Sequence, residues 1–498
     1  MRLAFSLFVL TTITRCAHCA SCEQLHDLFL PGATLTAESV VDGDLGSYCR
    51  VSITSTSVPD SEIHSEVWLP AAEKWNGKLL GTGNGGYSSQ MDVRAMRAAL
   101  LQGYVVTGSD TGHSGGDLKF GLGHPVKIDD WAYRAVHVMT RTAKLVLRSY
   151  YAHLPEHAYF SGCSTGGQQA LSEAQRYPDD YDGIVAGDPG NDRIHLNAGF
   201  LWSWRALQYA PGADLPLAKL SLLYNAVMRS CDGLDGVNDG IITDPTRCHF
   251  DPAALLCKDT DRESCLTAAQ VEAVRKIYAG AYNPRTGEQI FPGWVRGSEL
   301  LPDGSGSWAG YFVDKPEPAR VDFWRYWIFD DPHWEPKTFD FDRDIAFADQ
   351  ALPQVSAVNP DLTAFNRRGG KLLIYQGWAD PVVPPEDTLH YYESVQRAMG
   401  AKTAGPFALL FMVPGMGHCG GGPGPSKFDS LEQIDNWVAT NRAPRRIVAQ
   451  HFDKAGSVDR TRPICPYPQQ PVYKGSGSTD KAANFVCRAP ASQQSLRK

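Results

Sequence analysis

The sequence predicts an α/β fold, a mostly parallel sheet covered by helices, interrupted by a large inserted lid. Three observations predict it. Short β-rich runs that end in Gly or Asp recur at 65–69, 78–81, 104–108, 158–162, 183–187, 371–376 and 407–413. Helix-competent stretches lie between them at 130–150, 166–176, 385–399 and 430–439. The alternation then stops between about 190 and 365, where four Cys, a Gly/Asp-rich stretch at 232–240 and a crowd of aromatics take its place.

Each element has a local reason. Ser-Glu-Val-Trp-Leu at 65–69 and Tyr-Val-Val-Thr-Gly at 104–108 are rich in β-branched and aromatic residues, which suit a pleated, half-buried surface. Helices between such strands are the crossovers that parallel pairing requires. The expected organisation is a signal peptide at 1–20, a catalytic domain built from 21–189 and 366–498, and a lid at 190–365 that carries an acidic loop. No internal repeat or low-complexity segment breaks the chain.

Composition excludes several classes. A chain of 498 residues with 43% hydrophobic and 20% charged content is not globally disordered. A net charge of −8 argues against nucleic acid as partner. After the first 20 residues no apolar run nears the roughly 18–20 needed to cross a bilayer, so no membrane partner is expected. The first residues run from a basic start at Arg2 through an apolar core, Leu3 to Ile13, to small residues at Ala17 and Ala20. That order describes a signal peptide and a secreted location, extracellular or periplasmic; an anchor would need a longer core. The chain has no Asn-x-Ser/Thr sequon, which favours a bacterial export route.

Cysteine carries the next inference. Cleavage near Ala20 removes Cys16 and Cys19 and leaves ten of the 12 Cys, an even number in an oxidising compartment. Four pairs are local in sequence: Cys22–Cys49, Cys231–Cys248, Cys257–Cys265 and Cys465–Cys487. They leave Cys163 and Cys419 as a long-range pair, against the alternative of two free thiols. Zinc is the competing use, but no Cys-x-x-Cys survives cleavage to nucleate a site.

The chemistry starts at Gly162-Cys163-Ser164-Thr165-Gly166-Gly167, a Gly-x-Ser-x-Gly motif between an apolar strand and a helix-competent stretch. Its glycines permit a tight, strained turn that exposes the Ser164 hydroxyl at a helix N-terminus. A glycine-rich turn with a bystander serine is the bland alternative. Two later segments weigh against it. Lys371-Leu372-Leu373-Ile374-Tyr375-Gln376 leads into Trp378-Ala379-Asp380, and Leu409-Leu410-Phe411-Met412-Val413 leads into Gly417-His418-Cys419. Serine, acid and histidine follow strands in the order of an α/β-hydrolase. His418 would take the Ser164 proton, and Asp380 would orient and stabilise the imidazolium. Cys163 and Cys419 flank Ser164 and His418, so a bridge between them would hold the two in contact. For the oxyanion hole, the Thr165 N–H is one expected donor, and the second is expected from the glycine cluster Gly81-Thr82-Gly83-Asn84-Gly85-Gly86-Tyr87.

Over roughly 45–490 the chain resembles the tannase/feruloyl esterase family of secreted serine esterases, which also contains mono(hydroxyethyl) terephthalate hydrolase. The motifs are Gly-Cys-Ser-Thr-Gly-Gly at 162–167, Trp-Ala-Asp at 378–380, Gly-His-Cys at 417–419, Cys-Asp-Gly-Leu-Asp-Gly-Val-Asn-Asp-Gly-Ile at 231–241 and Arg-Thr-Arg-Pro-Ile-Cys-Pro-Tyr-Pro at 460–468. The resemblance implies the triad Ser164, Asp380 and His418, the bridge Cys163–Cys419, and Gly86 and Thr165 as oxyanion donors. It also implies a structural calcium ion in the lid, held by Asp232, Asp235, Asp239 and the carbonyls of Val237 and Ile241. Calcium takes six to eight hard oxygens, and this stretch offers most of them. No organic cofactor is implied.

The lid tract 308–334 holds nine aromatics in 27 residues, among them Trp308, Tyr311, Trp324 and Trp327, against 10% for the chain. That density suits a pocket for a flat aromatic acyl group, although most of the rings are expected in the lid core. The expected partner is a small aromatic ester, of plant cell-wall type, hydrolysed through an acyl-enzyme. Gallate esters or a terephthalate monoester are the alternatives, and the non-enzyme alternative is a calcium-stabilised binding protein. Glu335 stands near where the terephthalate enzyme carries its carboxylate-binding arginine, shortly before Phe339-Asp340-Phe341-Asp342, which argues against that monoester.

Overall fold

A computed structural model describes residues 20–490. The signal peptide expected at 1–20 therefore lies outside the described residues, apart from Ala20. Fifteen strands follow in order. The first seven are β1 (Ala33–Asp42), β2 (Gly46–Ser55), β3 (Ile63–Pro70), β4 (Lys78–Thr82), β5 (Val105–Ser109), β6 (His157–Cys163) and β7 (Gly183–Gly187). Then come a short lid pair, β8 (Ala281–Tyr282) and β9 (Gln289–Phe291), and the strands β10 (Lys371–Gly377) and β11 (Ala408–Val413). The last four are β12 (Ile447–Phe452), β13 (Val458–Pro466), β14 (Gln470–Tyr473) and β15 (Phe485–Arg488).

Eleven of them form one sheet in the order β1-β2-β3-β5-β4-β6-β7-β10-β11-β13-β12. From β5 to β11 the pairing is parallel. The flanks are antiparallel: β1–β2–β3 on one side, β13 and β12 on the other. Every residue of β5 and β7 is buried, as expected for strands covered on both faces. One face carries the helices Ala135–Tyr151, Thr165–Arg176 and Pro385–Met399 through Val136, Met139, Leu171 and Tyr391. The other carries Val93–Leu101 and Ser430–Thr440 through Met96, Leu100, Ile434 and Trp437.

The tract between β7 and β10 builds a separate apolar core on the helices Arg193–Ala206, Leu217–Cys231 and Ala268–Ala279. Trp308, Phe312, Phe323, Trp324 and Trp327 are buried in it, so most of the aromatic tract is consumed by packing. Tyr87, Trp131, Val382 and Val383 join that core from the catalytic side and seat the lid over the C-terminal ends of the parallel strands. Among the described residues no helix is long and apolar enough to cross a membrane.

Candidate active site

Ser164 sits between β6 and the helix Thr165–Arg176 with φ 63° and ψ −116°, a left-handed backbone that a non-glycine residue adopts only when its surroundings impose it. Those surroundings are specific. The Ser164 N–H donates to the Gly187 carbonyl at 2.9 Å, and the Gly190 N–H donates to the Ser164 carbonyl at 3.2 Å. A Cβ on Gly162 would come within 2.7 Å of the Gly166 backbone, and one on Gly83 within 2.5 Å of Gly166 Cα. The glycines are therefore what allows the loop after β4 to lie against the turn after β6.

Asp380 and His418 leave the ends of the adjacent strands β10 and β11. His418 Nδ1 donates to Asp380 Oδ2 at 2.8 Å. The Asp380 side chain is fully buried and also accepts from Val382 N at 2.7 Å, Val383 N at 3.0 Å and Gln376 Nε2 at 3.0 Å. Gln376 is itself oriented by Thr388. The His418 side chain keeps 16% exposure, enough for one edge of the ring to meet a substrate. Burial alone would push its pKa down; the charge and hydrogen bond of Asp380, then the charge of Asp188, outweigh burial and raise it.

Cys163 and Cys419 are bonded, with Cα atoms 5.9 Å apart across 256 residues of sequence. The other four bridges are Cys22–Cys49, Cys231–Cys248, Cys257–Cys265 and Cys465–Cys487. Cys419 is also left-handed, at φ 61°, so the bridge joins two strained turns. The lid also contacts the acid and histidine loops: Trp294 Nε1 donates to the Pro381 carbonyl at 3.0 Å, and Gly422 N donates to Asp303 at 2.8 Å.

Sequence reasoning missed a second carboxyl here. Asp188, at the end of β7, is fully buried and accepts from Gly377 N at 2.7 Å through Oδ1 and from Cys419 N at 3.1 Å through Oδ2. It lies with Asp380 and His418 in a cluster whose ligand atoms are all within 4.8 Å of one another. Burial, and then the charge of Asp380, push its pKa well up. Asp380, by contrast, accepts four hydrogen bonds. The only sequence signal was an Asp at a strand's C-terminal end, the same signal that marks Asp380.

Thr165 opens the helix, so its N–H is one of the first-turn donors without an intrahelical partner. Gly86 has φ 57°, and its carbonyl accepts from Thr165 Oγ1 at 2.8 Å. The loop is held further by Asn84, whose N–H donates to Gln169 and whose amide donates to the Ser109 carbonyl. A lid cation overlooked in the sequence reaches this region. Arg320, half-buried, lies over the rings of Tyr87, Phe200 and Tyr311 at 5.4, 5.6 and 5.9 Å and makes no ion pair among the described residues. Its charge acts on His418.

In the acidic loop, Asp232 accepts the N–H groups of Asp239, Gly240 and Ile241, and Asp235 accepts from Val237 N and Thr243 Oγ1. Asp239 Oδ2 is paired with buried Arg462 at 2.5 Å, and the Asp239 carbonyl accepts from Arg460. Two distant motifs, 231–241 and 460–468, thus meet in space. Each carboxylate is turned toward protein donors, and the three are not drawn within 4.8 Å of one another among the described residues. The donor chemistry fits a hard cation, all oxygen with no thiolate or imidazole. Asp239 Oδ1 is buried without a hydrogen-bond partner among the described residues, an atom such an ion would satisfy.

A serine on a strained strand-to-helix turn, followed by an acid and a histidine on neighbouring strand ends under an inserted cap, places the chain among the α/β-hydrolases. The family profile "Tannase and feruloyl esterase" matches residues 49–488, and the chain belongs to that family of carboxylic ester hydrolases. It is 36% identical to an uncharacterised esterase of Xanthomonas campestris, over 95% of this chain and 92% of that protein. Identity to feruloyl esterase B of Aspergillus niger is 30%, over 88% of this chain and 86% of that protein. The crystal structure of feruloyl esterase B from Aspergillus oryzae superposes with a TM-score of 0.84 at 28% identity, covering 94% of this chain and 99% of that one. Membership in an enzyme family displaces the binding-protein alternative.

Proposed function

We propose that the protein is a secreted serine carboxylesterase that cleaves aromatic esters of the feruloyl type through an acyl-enzyme. The observation that carries this reading is the 2.8 Å His418–Asp380 pair tied by Cys163–Cys419 to the strained Ser164 turn. Ser164 Oγ attacks the ester carbonyl as His418 Nε2 takes its proton. The N–H groups of Thr165 and Gly86 receive the oxyanion. His418 then returns the proton to the departing alcohol, and water repeats the cycle on the acyl-enzyme. Names of relatives support a hydroxycinnamate acyl group. Ser164→Ala should abolish ferulate release from methyl ferulate while preserving the fold, and a fluorophosphonate should label wild type at Ser164. Wild-type-like turnover in the variant would sink the reading.

One observation favours a second substrate. Arg320 is an unpaired, half-buried cation set among Tyr87, Phe200 and Tyr311 beside the histidine, where an aromatic ester carrying a free carboxylate would find both a flat wall and a counter-charge. A terephthalate monoester has that form, so Glu335 does not dispose of it. Gallate esters are the remaining alternative, and a screen of methyl ferulate, methyl gallate and mono(hydroxyethyl) terephthalate ranks the three.

Our reading also includes a structural calcium ion on Asp232, Asp235, Asp239 and the carbonyls of Val237 and Ile241. Its service is to neutralise the acidic loop and brace the lid against β13 through the Asp239–Arg462 pair. Excess chelator should lower the thermal midpoint, and an unchanged midpoint counts against the ion.

A further inference from the structure

We propose that Arg193 is a positioning residue of the oxyanion hole, a buried cation that aligns the two N–H donors and supplies positive charge behind them. The proposal rests on the serine-esterase reading above. Arg193 begins the first lid helix and is 1% exposed, yet no carboxylate lies within ion-pair range of it among the described residues. The adjacent Asp192 is engaged by His195 at 3.0 Å instead. The guanidinium lies 5.5 Å from the Tyr87 ring centre and 5.2 Å from that of Trp131, and those two rings stack on each other at 4.9 Å. Its Nε is buried without a hydrogen-bond partner among the described residues.

One polar contact leads directly to the proposed reaction centre. Arg193 Nη2 donates to Thr165 Oγ1 at 3.0 Å, and Thr165 Oγ1 donates to the Gly86 carbonyl at 2.8 Å. The direction of this relay is forced. A guanidinium has donors only, so the threonine hydroxyl must accept from it, and its single proton is left for Gly86. The relay therefore ties together the two chain segments whose N–H groups would hold the oxyanion, one after β4 and one after β6. The bond holds the carbonyl of the peptide that follows Gly86, so it anchors the loop at Gly86, where φ is 57°, next to the peptide that carries the Gly86 N–H.

The charge has its own logic. Burying a cation without a counter-ion is costly, and burial pushes the Arg193 pKa down to about 10, which still leaves it charged at neutral pH. Arg320, 5.4 Å from the centre of the same Tyr87 ring, adds a second positive charge rather than compensating the first. Buried Asp387 acts on Arg193 from beyond ion-pair range, and a further anion forms as the ester carbonyl becomes tetrahedral. Arg193 should thus favour the transition state over the bound ester.

Arg193→Met removes the charge and the donor at similar length. It should lower kcat about 30-fold per active site, with KM within threefold of wild type. Active sites are counted by endpoint fluorophosphonate titration, so loss of folded protein is not scored as loss of catalysis. Binding of an aryl boronic acid, which forms a tetrahedral adduct on the serine, should weaken in parallel, while binding of the ferulate product should not change. Arg193→Lys, which keeps the charge and one donor, should recover part of the loss. If Arg193→Met fails to fold, Thr165→Val cuts the relay alone and should lower kcat about tenfold, again with weaker boronate binding. Either variant with wild-type kcat and boronate affinity would overturn the proposal, as would a loss confined to KM. An unlabelled wild type, or an active Ser164→Ala, would instead overturn the serine-esterase reading on which it stands.

Discussion

Replacing both Cys163 and Cys419 by alanine should cost stability and, more sharply, catalysis. The bridge closes a loop of 256 residues, for which the chain-entropy argument gives about 5.5 kcal/mol at 25 °C. That figure is an upper bound, because the unfolded chain retains some structure and the bridges Cys231–Cys248 and Cys257–Cys265 inside the loop already restrict it. A loss of about 4 kcal/mol is the working value, within the range seen when native bridges are removed. At roughly 2 cal/mol/K per residue over about 470 residues, 1 kcal/mol corresponds to about 1 °C, so the midpoint should fall by about 4 °C. The catalytic cost follows from the two strained turns that the bridge joins. Ser164 and Cys419 both hold left-handed backbones, and released from each other the two turns relax toward ordinary geometry. A displacement of about 1 Å between serine and histidine would lower kcat by about 10²-fold. The assay is methyl ferulate turnover at 25 °C, well below the midpoint, beside calorimetry of the same preparations. A double variant of the lid bridge Cys257–Cys265, which spans eight residues, serves as control and should lose stability without losing kcat. If the Cys163/Cys419 variant kept kcat within threefold of wild type, the bridge would not be setting the catalytic geometry.

Other outcomes follow from the same site. Because the His418 pKa is raised, its neutral, base-competent form is lost as pH falls through a value above 6.5, so the acidic limb of kcat/KM should lie above that pH. Asp380→Asn should move the limb down and lower kcat by about 10³–10⁴-fold; a pH–rate profile tests both. Asp188→Asn sets an amide NH₂ against the N–H of either Gly377 or Cys419, which should cost about 1–3 kcal/mol by denaturant titration and lower kcat through the loosened His418 turn. Arg320→Ala should raise KM at least tenfold for mono(hydroxyethyl) terephthalate and leave methyl ferulate within threefold, and equal effects on both esters would remove the carboxylate role.

Much of the fold was legible because parallel strands buried on both faces are written as short apolar runs. The runs at 183–187 and 371–376 coincide with β7 and β10 to within a residue, as does the helix at 385–399. The antiparallel flanks were not legible. β1 is largely exposed, β2 and β12 are buried only at intervals, and β13 buries a central stretch between more exposed ends, so none is the continuous apolar run that marks the central strands. The helix expected at 130–150 opens with a wide turn at Asp130–Arg134, where the Arg134–Asp130 pair and neighbouring packing override a regular helical start. The lid helices were hidden for a different reason: Arg193–Ala206, for example, is buried on nearly every side and so shows no single apolar face.

The sequence by itself picked out the proposed serine, acid and histidine, since a Gly-x-Ser-x-Gly turn and residues at strand ends are local chemistry written in consecutive letters. It suggested the cysteine partners too, because four pairs are near neighbours in sequence and the fifth is what they leave, and all five bridges form. Only the tertiary structure decided what surrounds them. Asp188, Arg193 and Arg320 carry no motif, and their meaning depends on which strand end or lid turn the fold sets beside the reaction centre. Charge acts through space and through the low dielectric of a buried site, and neither distance nor burial is encoded by position along the chain.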